Sequence, residues 1–201
     1  MRFYFFMRGV AAFFIRLILR VRYEGVEHIP AHGGYILACN HRSNFDPVLI
    51  ALKIPRQVNF FAKVELVRIP IIGRIIMALG VVPVSRGTGD TGALDSAVEK
   101  LSGGGILGIF PEGHRSKDGK PLRPRSGISI IAGRTGADVL PCAVSYPKGM
   151  RFLAPVTVRY GPLIPASDLA IDPGVPSSIK AATKSIFEQI LALVDPNLPE
   201  G

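Results

Sequence analysis

Two residues of this chain, His41 and Asp46, have types and a spacing that point most directly to chemistry. They bracket Arg42-Ser43-Asn44-Phe45, and Pro47 follows. A neutral imidazole can accept a proton from a hydroxyl near neutral pH. A carboxylate on its far nitrogen fixes the tautomer and stabilises the imidazolium that forms. Such a pair is a serine-protease triad without its serine, so the attacking oxygen would belong to the substrate. A second reading stays open at this point: Asp46 ahead of Pro47 is also a good helix start, which would leave His41 a surface histidine.

The elements that must position the pair can be read around it. On one straight helix the two side chains would lie about 140° apart, so the chain has to turn between them. Gly34 to Cys39 is an apolar run that predicts a buried strand, and Val48 to Leu52 predicts a helix. A strand-to-helix turn supplies the geometry, and the sites of open α/β sheets lie at such strand ends. Further strands are predicted over 23–29, 58–63, 80–87, 106–110, 139–144 and 156–160. Helices are predicted over 73–79, 89–102 (opened by Thr88 or Asp90), 127–135 and from Ser177 or Ser178 to about Val194. Strands alternate with helices, so the expected fold is α/β, with a mixed, mostly parallel sheet flanked by helices. No linker divides residues 23–201, which read as one catalytic domain.

At 201 residues the chain is long enough to bury a substantial core. It is 48% hydrophobic with a net charge of +9, and its sequence pI is about 9.9. That balance suits anionic membrane surfaces or anionic substrates. Nucleic acid is a poor fit, because there is no Trp and the basic residues are not interleaved with aromatics. Cys39 and Cys142 both sit in apolar runs and read as reduced core residues rather than a disulfide or a metal pair.

Residues 1–22 hold five arginines and no acidic residue. On a helix the arginines fall in a sector about 160° wide, with Phe3, Phe6, Val10, Phe13, Phe14 and Leu17 largely outside it. This is the profile of a helix lying in a membrane interface. The alternative is a helix packed on the domain's own core. Glu65-Leu66 with Ile69 to Gly73 reads as a second lipid- or core-facing stretch, and 66–79, with its 73–79 helix, as a candidate wall of an apolar groove.

Other candidates lie at strand ends. Arg86 closes the 80–87 strand, where an arginine suits bidentate binding of phosphate. Arg115 follows Pro111-Glu112-Gly113 and is a second such candidate. Gly113 permits close backbone approach to a ligand. Glu112 would repel a bare phosphate and is better suited to orienting an arginine or a substrate hydroxyl. Lys117, Lys120, Arg123 and Arg125 read as a solvated basic loop.

Four ordered segments carry a resemblance: His41 to Asp46, Gly80 to Arg86, Phe110-Pro111-Glu112-Gly113-His114-Arg115-Ser116, and Leu140-Pro141. Together they resemble the blocks of the glycerolipid acyltransferases, of the 1-acylglycerol-3-phosphate (lysophosphatidic acid) type. Lys63-Val64-Glu65-Leu66 with Pro70 and Gly73 also fits, and the likeness covers roughly residues 23–165. It implies that His41 is a general base polarised by Asp46. It implies that Arg86 and Arg115, with the Glu112-Gly113 turn, hold the glycerol phosphate, and that Lys63 is a further contact to phosphate or pantetheine. The donor would be acyl-CoA or acyl-ACP and the acceptor a lysophospholipid. Neither a metal, another cofactor nor an acyl-enzyme would be required. The expected location is the cytoplasmic face of a bacterial inner membrane, held there monotopically by residues 1–22. His114, Ser85 and Arg125 stand where the family more often has threonine, aspartate and lysine.

Overall fold

The structure is a computed structural model that describes residues 2–85, 91–116, 120–147, 152–196 and 198. Among these residues seven strands form one sheet in the order β1-β7-β6-β2-β5-β3-β4. They are β1 (Leu19–Glu24), β2 (Tyr35–Cys39), β3 (Val58–Lys63), β4 (Val82–Val84), β5 (Ile106–Ile109), β6 (Asp138–Ser145) and β7 (Ala154–Tyr160). The pairings β2–β5, β2–β6, β3–β5, β3–β4 and β1–β7 are parallel, and β6–β7 is antiparallel. The fold is therefore α/β with a mixed, mostly parallel sheet, as the alternation of elements requires.

Side-chain alternation along the central strand divides the core. Leu37 and Cys39 face one layer, with Leu49 and Ile50 of α2 (Asp46–Ala51) and Ile15 of α1 (Arg2–Ile18). Ile36 and Ala38 face the other, with α5 (Thr91–Ser102), α6 (Gly127–Thr135) and α7 (Pro176–Ala192). Two short helices, α3 (Val64–Val67) and α4 (Ile72–Ala78), join β3 to β4.

The first strand lies earlier than the expected 23–29. It begins at Leu19, directly after α1, and pairs with β7 over Leu19–Glu24. Arg20 and Arg22 are exposed while Leu19 is buried, a period-two pattern too short to stand out from the helical run before it. Because β7 runs against β6, the start of β1 and residues 152–153 lie at the same edge as the carboxyl ends of β2, β3, β5 and β6. Leu153 N–H donates to Ile18 O at 2.7 Å there. At the opposite edge Val58 N–H donates to the Tyr4 hydroxyl at 3.2 Å, so α1 crosses one face of the sheet from edge to edge. Among the described residues no helix is long and apolar enough to cross a membrane.

Candidate active site

The turn that leaves β2 folds back on itself. Asp46 is fully buried, and its Oδ2 accepts from His41 Nδ1 at 2.9 Å and from the backbone N–H of Arg42 and Ser43 at 2.7 Å each. The carboxylate thus points into the turn before α2. It makes no side-chain bond that caps the helix. The cap reading fails for that reason, and the two side chains are paired. With Nδ1 donating to Asp46, Nε2 is left as the accepting nitrogen. The His41 side chain is 14% exposed, a histidine held in the wall of the site rather than free on the surface.

Three further contacts fix His41. Its ring stacks on Phe110 with centroids 4.0 Å apart and planes 18° apart, and Phe110 stacks in turn on Phe60 at 5.9 Å. Its backbone N–H donates to Glu112 Oε1 at 2.9 Å. Its carbonyl accepts from Ser116 N–H at 2.9 Å. Before it, Asn40 is buried and bridges to β6 through both ends of its amide, accepting from Val144 N–H at 2.9 Å and donating to Val144 O at 3.1 Å. After it, the Arg42 guanidinium lies 4.6 Å from the Tyr146 ring centroid and donates to Tyr146 O at 3.2 Å.

Glu112 is buried, and its second oxygen, Oε2, accepts from Leu122 N–H at 3.1 Å. The carboxylate binds two loops of the site together, one of them through the backbone of His41. Gly113 has φ 76° and closes a turn with its N–H on Phe110 O at 3.0 Å. A Cβ there would stand 2.9 Å from Cδ and Nε of Arg125, so the close approach is to that side chain. Arg115 and His114 are exposed beside it, at the same edge. Lys63 ends β3 and is exposed at the edge where β2 and β5 also end. Arg86 lies outside the described residues, as do Lys117 and the two helix-opening candidates Thr88 and Asp90. The geometry therefore brings His41, Asp46, Glu112 and Gly113 together and leaves Arg115 and Lys63 on the rim.

Two thiols lie beneath the site. Cys39 and Cys142 are register partners on β2 and β6, both buried and free. Burial pushes the Cys39 thiol well above its ordinary value, and its neighbour Cys142 and the charges of Asp46 and Glu112 add to the effect. It is no thiolate nucleophile at neutral pH.

This arrangement can take a proton from a hydroxyl and hold the resulting charge. A family model described as Acyltransferase matches residues 20–145, which span the whole of it. The chain belongs to the acyltransferase family. This acyltransferase chain is 30% identical over 129 residues to the 1-acyl-sn-glycerol-3-phosphate acyltransferase of Bacillus subtilis (strain 168), covering 64% of each chain. It is 30% identical over 124 residues to the chloroplastic 1-acyl-sn-glycerol-3-phosphate acyltransferase LPAT1 of Arabidopsis thaliana, covering 61% of this chain and 35% of that one. The crystal structure of the 1-acyl-sn-glycerophosphate (LPA) acyltransferase PlsC from Thermotoga maritima aligns with a TM-score of 0.71 at 29% identity, over 94% of this chain and 80% of that one. The chain thus spans between about a third and two thirds of the length of those two sequence relatives.

Phe110, Asn40 and Arg42 lie in or beside the segments singled out in the sequence, but sequence reasoning assigned them no role. Asn40 carried a signal, a polar residue at the end of an otherwise apolar strand. The stack of Phe110 on His41 carried none, because the two residues are far apart in the chain.

Proposed function

We propose that the protein is a 1-acyl-sn-glycerol-3-phosphate O-acyltransferase. It moves a fatty acyl group from acyl-CoA or acyl-ACP to the free hydroxyl of lysophosphatidic acid and yields phosphatidic acid. The observation that carries this reading is the 2.9 Å bond between His41 Nδ1 and Asp46 Oδ2 on the turn leaving β2. The names and structure of its relatives support the substrate class.

In this mechanism Nε2 of His41 takes the proton of the acceptor hydroxyl while its oxygen attacks the thioester carbonyl. Asp46 stabilises the imidazolium so formed. Collapse of the tetrahedral intermediate expels the thiolate, which receives the proton from His41 Nε2, and the base is restored. Arg86 and Arg115 neutralise the glycerol phosphate, and Lys63 is a further contact to the phosphate or the pantetheine arm. The Glu112-Gly113 turn contributes to the same phosphate site. No acyl-enzyme and no metal enters these steps. Residues 1–22 hold the enzyme on the membrane surface: Phe3, Phe6, Phe13, Phe14 and Leu17 are exposed, and so are Arg2, Arg16, Arg20 and Arg22. Tyr4 and Ile15 face inward, so the same helix packs on the core along a narrow strip and presents aromatics outward. The cytoplasmic leaflet of a bacterial inner membrane is the location that lets a water-soluble thioester meet a lipid acceptor.

The test is acyl transfer from a long-chain thioester to lysophosphatidic acid in liposomes, with a panel of other acceptors beside it. Wild type should form phosphatidic acid, and His41→Ala should lose on the order of 10²-fold or more. Equal rates in the two proteins overturn the mechanism. Transfer only to glycerol 3-phosphate or to another lysolipid overturns the acceptor.

A further inference from the structure

The segment between α3 and α4 departs from the burial rule of a soluble domain. Leu66, Ile69, Ile71, Ile72, Ile75 and Met77 are all exposed, Ile71 at 71%. The expected core-facing alternative therefore fails for these six side chains. The backbone at the tip is strained as well. Ile71 has φ 69° and ψ −60°, and Ile72 N–H donates to Pro70 O at 2.8 Å. That is a γ-turn of the rare, strained hand, which a β-branched residue adopts only when the surrounding structure imposes it.

The surroundings do impose it. A Cβ on Gly73 would stand 1.9 Å from Val67 O, so α3 and α4 touch backbone to backbone. Gly73 N–H donates to Ile69 O at 2.8 Å and Ile75 N–H to Ile71 O at 3.0 Å. The result is a stiff knuckle that pushes an isoleucine into the surroundings. Its place in the fold is fixed by topology. α3 begins directly after the carboxyl end of β3, and Leu79 at the far end of α4 accepts from Gln57 Nε2 at 2.9 Å, beside the start of β3. The tip thus lies at the sheet edge that carries His41.

Arg68 and Arg74 flank the apolar residues and are exposed, and Glu65 is the only acidic residue from 64 to 78. Apolar side chains rimmed by arginines match a bilayer with anionic headgroups. We propose that the α3–α4 knuckle is a second membrane-inserting element, with Ile71 at its tip. It acts beside α1 and seats the active-site edge on the lipid surface. This deepens the membrane part of the proposed function and is independent of the acyl-transfer chemistry.

The chain has no Trp, so one introduced Trp reports on its own surroundings. Four single variants suffice: Ile71→Trp, Leu66→Trp (which lies outside the strained turn), Phe6→Trp on α1, and Lys184→Trp on the exposed face of α7. Each is mixed with vesicles of phosphatidylcholine and phosphatidylglycerol carrying brominated acyl chains. Emission of I71W and L66W should shift to the blue and be quenched, and that of K184W should not change. Quenching of F6W alone overturns the proposal, as does equal quenching of all four. A blue shift that grows with protein concentration before lipid is added makes the surface a contact between copies and overturns it too. So does a shift produced by lysolipid below its micelle concentration, which makes the segment an acyl-chain site. Ile71→Asp should weaken vesicle binding about tenfold. These readouts need no turnover, so their failure leaves the acyl-transfer reading standing, and the reverse also holds.

Discussion

The turn that leaves β2 and the knuckle that leaves β3 lie at one edge of the same sheet, and they break the ordinary rule of burial in opposite directions. The first buries charge: Asp46 is 0% exposed, and Glu112 of the loop after β5, which bonds to this turn, is 2% exposed. The second exposes aliphatic side chains on a strained backbone. Buried carboxylates persist only where N–H donors compensate the lost hydration. Here backbone donors of Arg42 and Ser43 do so for Asp46 Oδ2, and those of His41 and Leu122 for the two oxygens of Glu112, while Asp46 Oδ1 makes no hydrogen bond among the described residues. Exposed isoleucines have no comparable compensation inside the molecule, so the compensation has to come from outside it. Polar groups paired within the protein speak of chemistry, and apolar groups unpaired within it speak of a partner.

The largest effect should come from breaking the polar region where its charge meets His41. Asp46→Asn keeps the volume and the fold but places an amide against Nδ1. The amide oxygen keeps the Oδ2 place, where it accepts from Nδ1 and from the Arg42 and Ser43 N–H groups, and the imidazolium loses its counter-charge. Acyl transfer should fall on the order of 10²- to 10⁴-fold while the thermal midpoint moves little. A variant with more than a tenth of the wild-type rate would show that Asp46 serves only to fold the turn.

Glu112→Gln should have a smaller and different effect. The Gln amide keeps one acceptor and turns a second donor toward a backbone N–H, which costs about 1–3 kcal/mol at a buried site. Because the carboxylate acts through the His41 backbone, kcat should fall and the KM for lysophosphatidic acid should stay within a few-fold. A large rise in KM with kcat intact would place Glu112 on the acceptor itself.

The polar region was largely legible in the sequence, and the apolar one only half. The run Gly34 to Cys39, the His-to-Asp spacing and the Asp-Pro step are local signals, and they located β2, the turn and α2. Glu112 was singled out, but its target is a backbone N–H 71 residues away, and no pattern in the chain encodes that. Phe110 escaped for the same reason. For 66–79, hydropathy marks the residues as leaving water without saying which way they leave it. A core, a groove and a bilayer give the same string of Ile and Leu, and the exposure of Ile71 and Ile72 sets the core apart from the other two. The start of β1 was hidden because Arg20 and Arg22 continue the spacing of arginines in α1.

The smallest effect, and the sharpest for the comparison, is expected from Ile71→Gly. Glycine adopts φ 69° without the steric cost that Ile bears. Relief of that strain is of order 1–3 kcal/mol, offset by the larger entropy glycine loses on folding. Little buried contact is lost, since the side chain is 71% exposed. The net expectation is a gain of about 1 kcal/mol in denaturant unfolding. Vesicle binding should weaken by about tenfold over the same substitution. Stability and membrane affinity would then move in opposite directions at one residue, as they must if the strain is kept for the sake of the exposed side chain. A loss of stability instead would mean that Ile71 packs against its own protein, and the contrast between the two regions would collapse to one buried site and one ordinary loop.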